Sequence, residues 1–265
     1  MSAIVTLLSD FGLHDSYVAE MKASVLSTCP HAILVDISHE IEKFDIKAGA
    51  FVLATAAKSF PKGTVHLAVV DPGVGSERRP IIVESGRGYY VGPDNGILML
   101  AARSYGVRSV YQIETKCLSR KACSATFHGR DTFGPIAGLL ASGVNASRLG
   151  RRIYDCSEGT LPRLRLTEDY LESEVIHIDD FGNVIVGAAR EELEKTGLGG
   201  SIRLRYGRHR PRCLRVVRTY SELKGGSLGC LIGSHGFLEI AKNMGSACQT
   251  LHIRVGDRVS ILLDR

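Results

Sequence analysis

Val69-Val70-Asp71-Pro72-Gly73-Val74-Gly75-Ser76-Glu77-Arg78-Arg79 ends an apolar run, Val65 to Val70, on an aspartate and a turn, with two guanidiniums one bend further on. A buried strand that stops at Asp-Pro-Gly leaves its carboxylate at the carboxyl edge of a sheet, where open α/β folds place their ligands. The same residues can also do no more than close a turn, the Asp capping its own backbone amides.

Outward from that stretch, short apolar runs alternate with helix-like segments. Ile4 to Leu8 reads as a strand, Tyr17 to Ser27 as a helix, Ile33 to Ile37 as a strand and Ile46 to Ser59 as a helix with apolar residues at helical spacing. A hairpin of Ile81 to Glu84 with Tyr89 to Val91 follows, then helices from Ile97 to Ser104 and from Ile136 to Ser142. This rhythm predicts an α/β domain over residues 1–164, with a mostly parallel sheet covered on both faces. The polar segment Arg163 to Glu172 reads as a linker. Beyond it, over residues 173–265, the texture changes to short strands at Glu174 to Ile178, Val184 to Val186, Ile202 to Tyr206, Leu214 to Val217, Leu228 to Ile232 and Val259 to Leu263. They predict a smaller all-β domain, a barrel or sandwich. There is no internal repeat and no low-complexity tract.

A chain of 265 residues can bury a full core, and 44% hydrophobic with 23% charged residues is ordinary for a globular protein. The opening run Met1 to Asp10 is short, lacks a basic leader and ends on a charge, so it reads as a first strand and not a secretory signal. No apolar stretch has the length of a membrane span, and a soluble, cytoplasmic protein is expected. The seven cysteines are scattered without a Cys-x-x-Cys pair, which fits reduced thiols and argues against a disulfide framework or zinc knuckle. The net charge of +5 is uneven, with seven arginines and no acid from Arg203 to Arg218. Such a run suits an anionic partner such as RNA, or the solvated face of a hairpin.

Further polar clusters fall at the ends of predicted elements. Ser9-Asp10-Phe11-Gly12 closes the first strand, where an acid can accept hydrogen bonds from a ribose diol or cap the next helix. Thr126-Phe127-His128-Gly129-Arg130-Asp131 is a dense polar turn before a helix. Ile178-Asp179-Asp180-Phe181-Gly182-Asn183 offers a ring to stack on an aromatic base and polar groups to bond it, or a plain turn. Gly233 to Asn243 reads as a turn leading into a helix whose amides can hold an anion. Gly73 and Gly75 lack the third glycine of the dinucleotide fingerprint, and neither a phosphate-binding Gly-x-x-x-x-Gly-Lys-Ser/Thr loop nor a His-Glu-x-x-His motif is present. His128 with Asp71, Asp131 or Asp10 has no spacing diagnostic of a metal site.

Taken in order, Ser9-Asp10-Phe11-Gly12, Val70-Asp71-Pro72-Gly73-Val74-Gly75, Gly92-Pro93-Asp94-Asn95-Gly96, Phe127-His128-Gly129-Arg130-Asp131, Asp179-Asp180-Phe181-Gly182-Asn183 and Ser234-His235-Gly236 resemble the S-adenosylmethionine hydroxide adenosyltransferases, relatives of the bacterial fluorinase and chlorinase. The resemblance spans nearly the whole chain. It implies an amino-terminal α/β domain joined to a β-barrel, assembled as a homotrimer with S-adenosylmethionine between the first domain of one subunit and the second domain of its neighbour. It assigns Asp71, Arg78 and His128 to catalysis, Asp10 to the ribose hydroxyls, Asp179, Phe181 and Asn183 to the methionine portion or adenine from across the interface, and Phe11, Asn95 and Ser234 to substrate binding. It implies neither metal nor cofactor, since S-adenosylmethionine is the substrate.

Departures from the halogenating relatives point to water as the nucleophile. Asp71 stands where the fluorinase has an aromatic residue and Gly129 where it has a serine, and the loop that precedes its Pro-x-Asn-Gly turn is missing. His235 replaces an arginine. The implied reaction is hydrolysis to adenosine and L-methionine by attack at C5′, with the base either Asp71 alone or a relay shared with His128. Arg78 beside Asp71 favours the ionised carboxylate and weakens it as a base, so its implied task is to fix geometry. The alternatives are a chloride-dependent adenosyl halogenase and a non-catalytic nucleoside- or RNA-binding protein using the arginines around Arg208 to Arg212. The second has only Tyr206 available for base stacking.

Overall fold

The computed structural model describes residues 3–114, 124–159, 164–194 and 200–262. The chain divides into two units, Met1–Thr160 and Leu161–Arg265. The first unit runs β1 (Ile4–Ser9), α1 (Tyr17–Thr28), β2 (Ile33–Ser38), α2 (Ile46–Ala57), β3 (Val65–Val69), β4 (Pro80–Ser85), β5 (Tyr89–Pro93), α3 (Met99–Arg103), β6 (Val107–Ile113), α4 (Gly134–Ala141) and β7 (Gly150–Ile153).

Its sheet has the order β2-β1-β3-β5-β4-β6-β7. The strands β2, β1, β3 and β5 pair in parallel, and β4, β6 and β7 extend the sheet in antiparallel fashion. The sheet is therefore more evenly mixed than the βα rhythm suggests, because the hairpin β4–β5 reverses the chain and edge strands then add on that side. Both faces are covered, as expected. Leu8, Ala68 and Val70 pack with α2 and α3 on one side, while Val5, Leu7, Leu67 and Val69 pack with α1 and α4 on the other. Alternate residues of one strand thus enter different cores, which is why these strands read as continuous apolar runs.

Local chemistry sets the helices. Asp45 caps α2, its Oδ1 accepting from the Ala48 N–H at 2.9 Å. Gly134 and Gly138 place a bare stripe of α4 against α1. A Cβ at these positions would lie 1.9 Å from Ser24 Oγ and 2.0 Å from Thr28 Oγ1, so only glycine permits this approach. The chain enters α4 through a π-helical turn, Gly129–Phe133, of the kind that often marks functional sites.

The second unit contains β8 (Arg165–Leu166), β9 (Tyr170–Ile178), β10 (Val184–Ala189), α5 (Arg190–Glu194), β11 (Ser201–Tyr206), β12 (Arg212–Val216), β13 (Leu228–Ile232), β14 (Phe237–Lys242), α6 (Ala247–Leu251) and β15 (Arg258–Leu262). The ladder β10-β14-β13-β12-β11-β15-β9 closes on itself through a β9–β10 pairing, which makes a seven-stranded barrel with β8 outside it. Leu171, Val184, Leu204, Leu214, Ile240 and Ile261 are among its core residues.

Two expectations are corrected here. The described part of the polar segment Arg163 to Glu172 contains β8 and the start of β9, so it is tied to the second unit's sheet; cross-strand pairing of Arg165 with Glu172 uses the polarity that reads as a linker. The segment after Gly236 is a strand and not a helix, because Gly233 and Phe237 close a hairpin through Gly233 N–H to Phe237 O at 2.9 Å and β14 pairs with both β13 and β10. That turn therefore has no helix amides to offer an anion. Leu263, Cys117 and Cys123 lie outside the described residues, and the five described cysteines are free. Of the arginine run, Arg203, Arg205, Arg208, Arg210, Arg212, Arg215 and Arg218 are all exposed on or beside the β11–β12 hairpin. Among the described residues no helix is long and apolar enough to cross a membrane.

Candidate active site

β3 ends at Val69, and two residues later Asp71 stands at the carboxyl edge of the parallel strands. The turn that follows folds Arg78 back onto it. Arg78 Nε donates to Asp71 Oδ1 at 2.8 Å and Arg78 Nη2 donates to Asp71 Oδ2, a bidentate pair between side chains only 10% and 5% exposed. Gly75, at φ +79°, gives the turn its sharpness, and a Cβ there would meet Ala125 O at 2.9 Å.

His128 joins this pair from the π-helical turn. Its Nδ1 lies 2.9 Å from Arg78 Nη2. A guanidinium can only donate, so Nδ1 is the acceptor and neutral His128 carries its proton on Nε2. Burial, and next the Arg78 charge, push the imidazole below the ordinary histidine value, against the pull of Asp71 and Asp131. His128 is thus neutral at neutral pH. The Arg78 guanidinium carbon sits 5.2 Å from the Phe133 ring centroid, and its buried Nη1 has no hydrogen-bond partner among the described residues.

Asp71 and His128 line a cavity of about 220 Å³ together with Asp10, Phe11, Tyr17, Lys43, Phe44, Val69, Val74, Thr126, Phe127 and Gly129. Arg78 is not among the lining residues; it acts on the other two. Asp10 is buried just past β1, where its Oδ2 accepts from the Phe44 N–H at 3.0 Å and its carbonyl oxygen accepts from Lys43 Nζ. Phe11, Tyr17 and Phe127 meet edge to face, with centroids 5.1 to 6.1 Å apart, and form an aromatic corner. Sequence reasoning overlooked Tyr17, Lys43 and Phe44. Phe44 is 69% exposed and holds φ +68°, strained for a residue with a side chain. The available signal was an aromatic residue directly before the Asp45 helix cap.

Asn95 Nδ2 donates to Val70 O at 2.8 Å and its Oδ1 accepts from the Ile97 N–H at 3.2 Å, so it braces the strand end that carries Asp71 and is not among the lining residues. Arg130 and Asp131 engage each other through two hydrogen bonds of 2.8 and 2.9 Å, and Arg130 also reaches Glu20 on α1. Among the described residues no cluster of three or more His, Cys, Asp or Glu can hold a metal ion.

The other implied binding residues lie in the second unit. Asp179 accepts from both the backbone and the side-chain amide of Asn183, at 2.8 and 2.9 Å, and these two with Phe181 line a cavity of about 620 Å³ beside Tyr220, Lys242 and Ser246. Phe181 is 79% exposed. Nearby, burial pushes the Glu239 carboxyl up, and Tyr220 Oη donates to its Oε1 at 2.6 Å. Ser234 is exposed on the β13–β14 hairpin and is not among the residues lining that cavity.

The geometry agrees with comparison to known proteins. Residues 5–150 match the SAM hydroxide adenosyltransferase N-terminal domain and residues 173–260 the C-terminal domain, and the chain belongs to this family. Among its relatives, proteins named (R)-S-adenosyl-L-methionine hydrolase are 36% identical in Methanocaldococcus jannaschii, over 98% of this chain and 95% of the relative, and 39% identical in Thermus thermophilus, over 97% and 99%. A fluorinase from Nocardia brasiliensis is more distant, 28% identical over 97% of this chain and 96% of the relative. A crystal structure of an uncharacterized conserved protein from Thermotoga maritima superposes with a TM-score of 0.91 at 35% identity, covering 97% of this chain and 99% of that one.

The Arg78 contact makes His128 a reporter of the site. In an NMR titration the His128 midpoint is expected below 6.5 in the wild-type protein, and Arg78→Gln is expected to move it upward, since the substitution removes a cation and leaves Asp71 to favour the imidazolium. A midpoint that stays put or falls in the variant would contradict the assigned contact.

Proposed function

We propose that the protein hydrolyses S-adenosylmethionine to adenosine and L-methionine, with water attacking C5′. The observation that carries this reading is a buried carboxylate, locked by a guanidinium that also contacts an imidazole, opening on the same cavity as Asp10. The names of the nearer relatives support it.

The sulfonium makes methionine a neutral leaving group, so the step needs an aligned, poorly solvated nucleophile more than an acid. Alignment of this kind is worth on the order of several kcal/mol. Each Asp71 oxygen accepts one bond from Arg78 and keeps a lone pair for a water O–H. As the O–C5′ bond forms and the C5′–S bond breaks, the sulfonium charge is quenched and positive charge grows on the attacking oxygen. Asp71 stabilises that charge and takes the proton. His128 has its Nδ1 committed to Arg78 and offers Nε2–H, so it orients the water and is not the proton acceptor. Asp10 holds the ribose hydroxyls, with the Phe11 corner against the sugar and base. No metal or cofactor enters this scheme, and the free thiols suit action in the cytoplasm.

The remaining contacts come from Asp179, Phe181 and Asn183, and we infer a homotrimer in which the second unit of a neighbouring subunit covers the first unit's cavity. A volume of about 220 Å³ is below the roughly 300–1,000 Å³ of complete ligand pockets. Exposed Phe44, Phe181 and Met244 at the two cavities are the apolar groups such an assembly would cover.

With adenosine release followed by chromatography, Asp71→Asn is expected to be slower by about a hundredfold or more, and the wild type to form adenosine equally in chloride and chloride-free buffer. Unchanged turnover in Asp71→Asn removes its assigned role, and a chlorinated nucleoside formed only with chloride makes the protein a halogenase. Analytical ultracentrifugation is expected to give the mass of three 28.7 kDa chains; a fully active monomer would contradict the shared site.

A further inference from the structure

We propose that His39 is a positioning residue that fixes the Ser9–Gly12 turn, and with it Asp10 and Phe11, for the ribose of the substrate. The inference rests on the reading of Asp10 as the ribose ligand and adds a residue outside the cavity.

His39 follows β2 and holds both ends of that turn. Its Nδ1 lies 2.7 Å from Ser9 Oγ, and its carbonyl oxygen accepts from the Gly12 N–H at 2.8 Å. Ser9 Oγ in turn accepts from the Phe11 N–H at 3.3 Å. The Asp36 carboxylate, 3.2 Å from Nε2, can only accept, which favours the tautomer with its proton on Nε2 and leaves Nδ1 to accept from the Ser9 hydroxyl. Nε2 faces Asp36 Oδ1 at 3.2 Å without the alignment of a full hydrogen bond, and Asp36 Oδ2 accepts from Lys22 Nζ of α1 at 2.6 Å. Lowering of the His39 pKa, chiefly by burial and against the pull of Asp36, agrees with a neutral ring.

The order Asp36, His39, Ser9 is that of an acyl-transfer relay, yet Ser9 is wholly buried and its oxygen is already bonded to the turn, so it attacks nothing. The relay braces instead. The β1–β2 register slips between Leu7, opposite Asp36, and Leu8, opposite Ser38. That irregularity falls directly before the turn; on its other side β1 stays paired with β3 only as far as Ser9, opposite Val69, and beyond it side chains must hold the chain.

The test measures adenosine affinity by calorimetry, and KM and kcat with S-adenosylmethionine, for the wild type, His39→Leu, His39→Asn and Ser9→Ala. His39→Leu is expected to weaken adenosine binding about tenfold and to raise KM similarly, with kcat changed less than about threefold. His39→Asn is expected to recover most of the loss, because its amide oxygen replaces Nδ1 as acceptor. Ser9→Ala, a smaller cut, should reproduce the His39→Leu loss and decides the matter should His39→Leu fail to fold. Wild-type affinity in Ser9→Ala, an equal loss in His39→Asn and His39→Leu, or a fall in kcat at constant KM would overturn the proposal. A wild-type protein that binds no adenosine overturns the ribose reading itself, and the proposal falls with it.

Discussion

The Asp71–Arg78 pair is the constraint from which the catalytic arrangement follows. Two nearly buried, opposite charges share two hydrogen bonds, and removing one partner of such a pair costs about 3–5 kcal/mol because the other is left stranded. Neither group can swing away, so the carboxylate keeps its place at the strand end. Arg78 then dictates the state of His128 by leaving its Nδ1 no role but acceptor. Asn95 secures the same strand end from the backbone side. One ion pair thereby settles where the carboxylate lies and which imidazole nitrogen carries the proton.

The division of polar groups between the two units follows the chemistry they face. The first unit lines the cavity beside Asp71 and His128 with the rings of Phe11, Tyr17 and Phe127. The second presents amide, carboxylate and phenol groups around a larger cavity. The fold explains the arrangement. Carboxyl ends of parallel strands converge on one edge, whereas a closed barrel has no such edge and must use its turns and hairpins.

Much of this was legible in the sequence because it is carried by periodicity or by turn chemistry. The strands β1 and β3 are buried on both faces, and α2 has helical spacing behind an aspartate cap, so these stand out. Asp71 was marked by the turn after it, and His128 by its dense polar turn. The strand Val107–Ile113 and the edge strand Gly150–Ile153 carried no comparable signal, the first being half exposed and the second only four residues long. Phe237–Lys242 misled because Leu, Glu, Ala and Lys favour helices, yet pairing on both edges outweighs that preference in a barrel. Asn95 could not be placed from sequence, since an amide in a turn suits a ligand or a backbone carbonyl equally. Phe44 was hidden because its strained backbone is a property of the folded loop and not of its neighbours in sequence.

The central claim is that water held by Asp71 attacks the ribosyl C5′ while the bond to sulfur breaks. Turnover in oxygen-18 water, followed by mass spectrometry of both products, tests it most directly. The account requires the heavy oxygen in the 5′-hydroxyl of adenosine and none in methionine. Unlabelled adenosine, or methylthioadenosine accompanied by labelled homoserine, would contradict it.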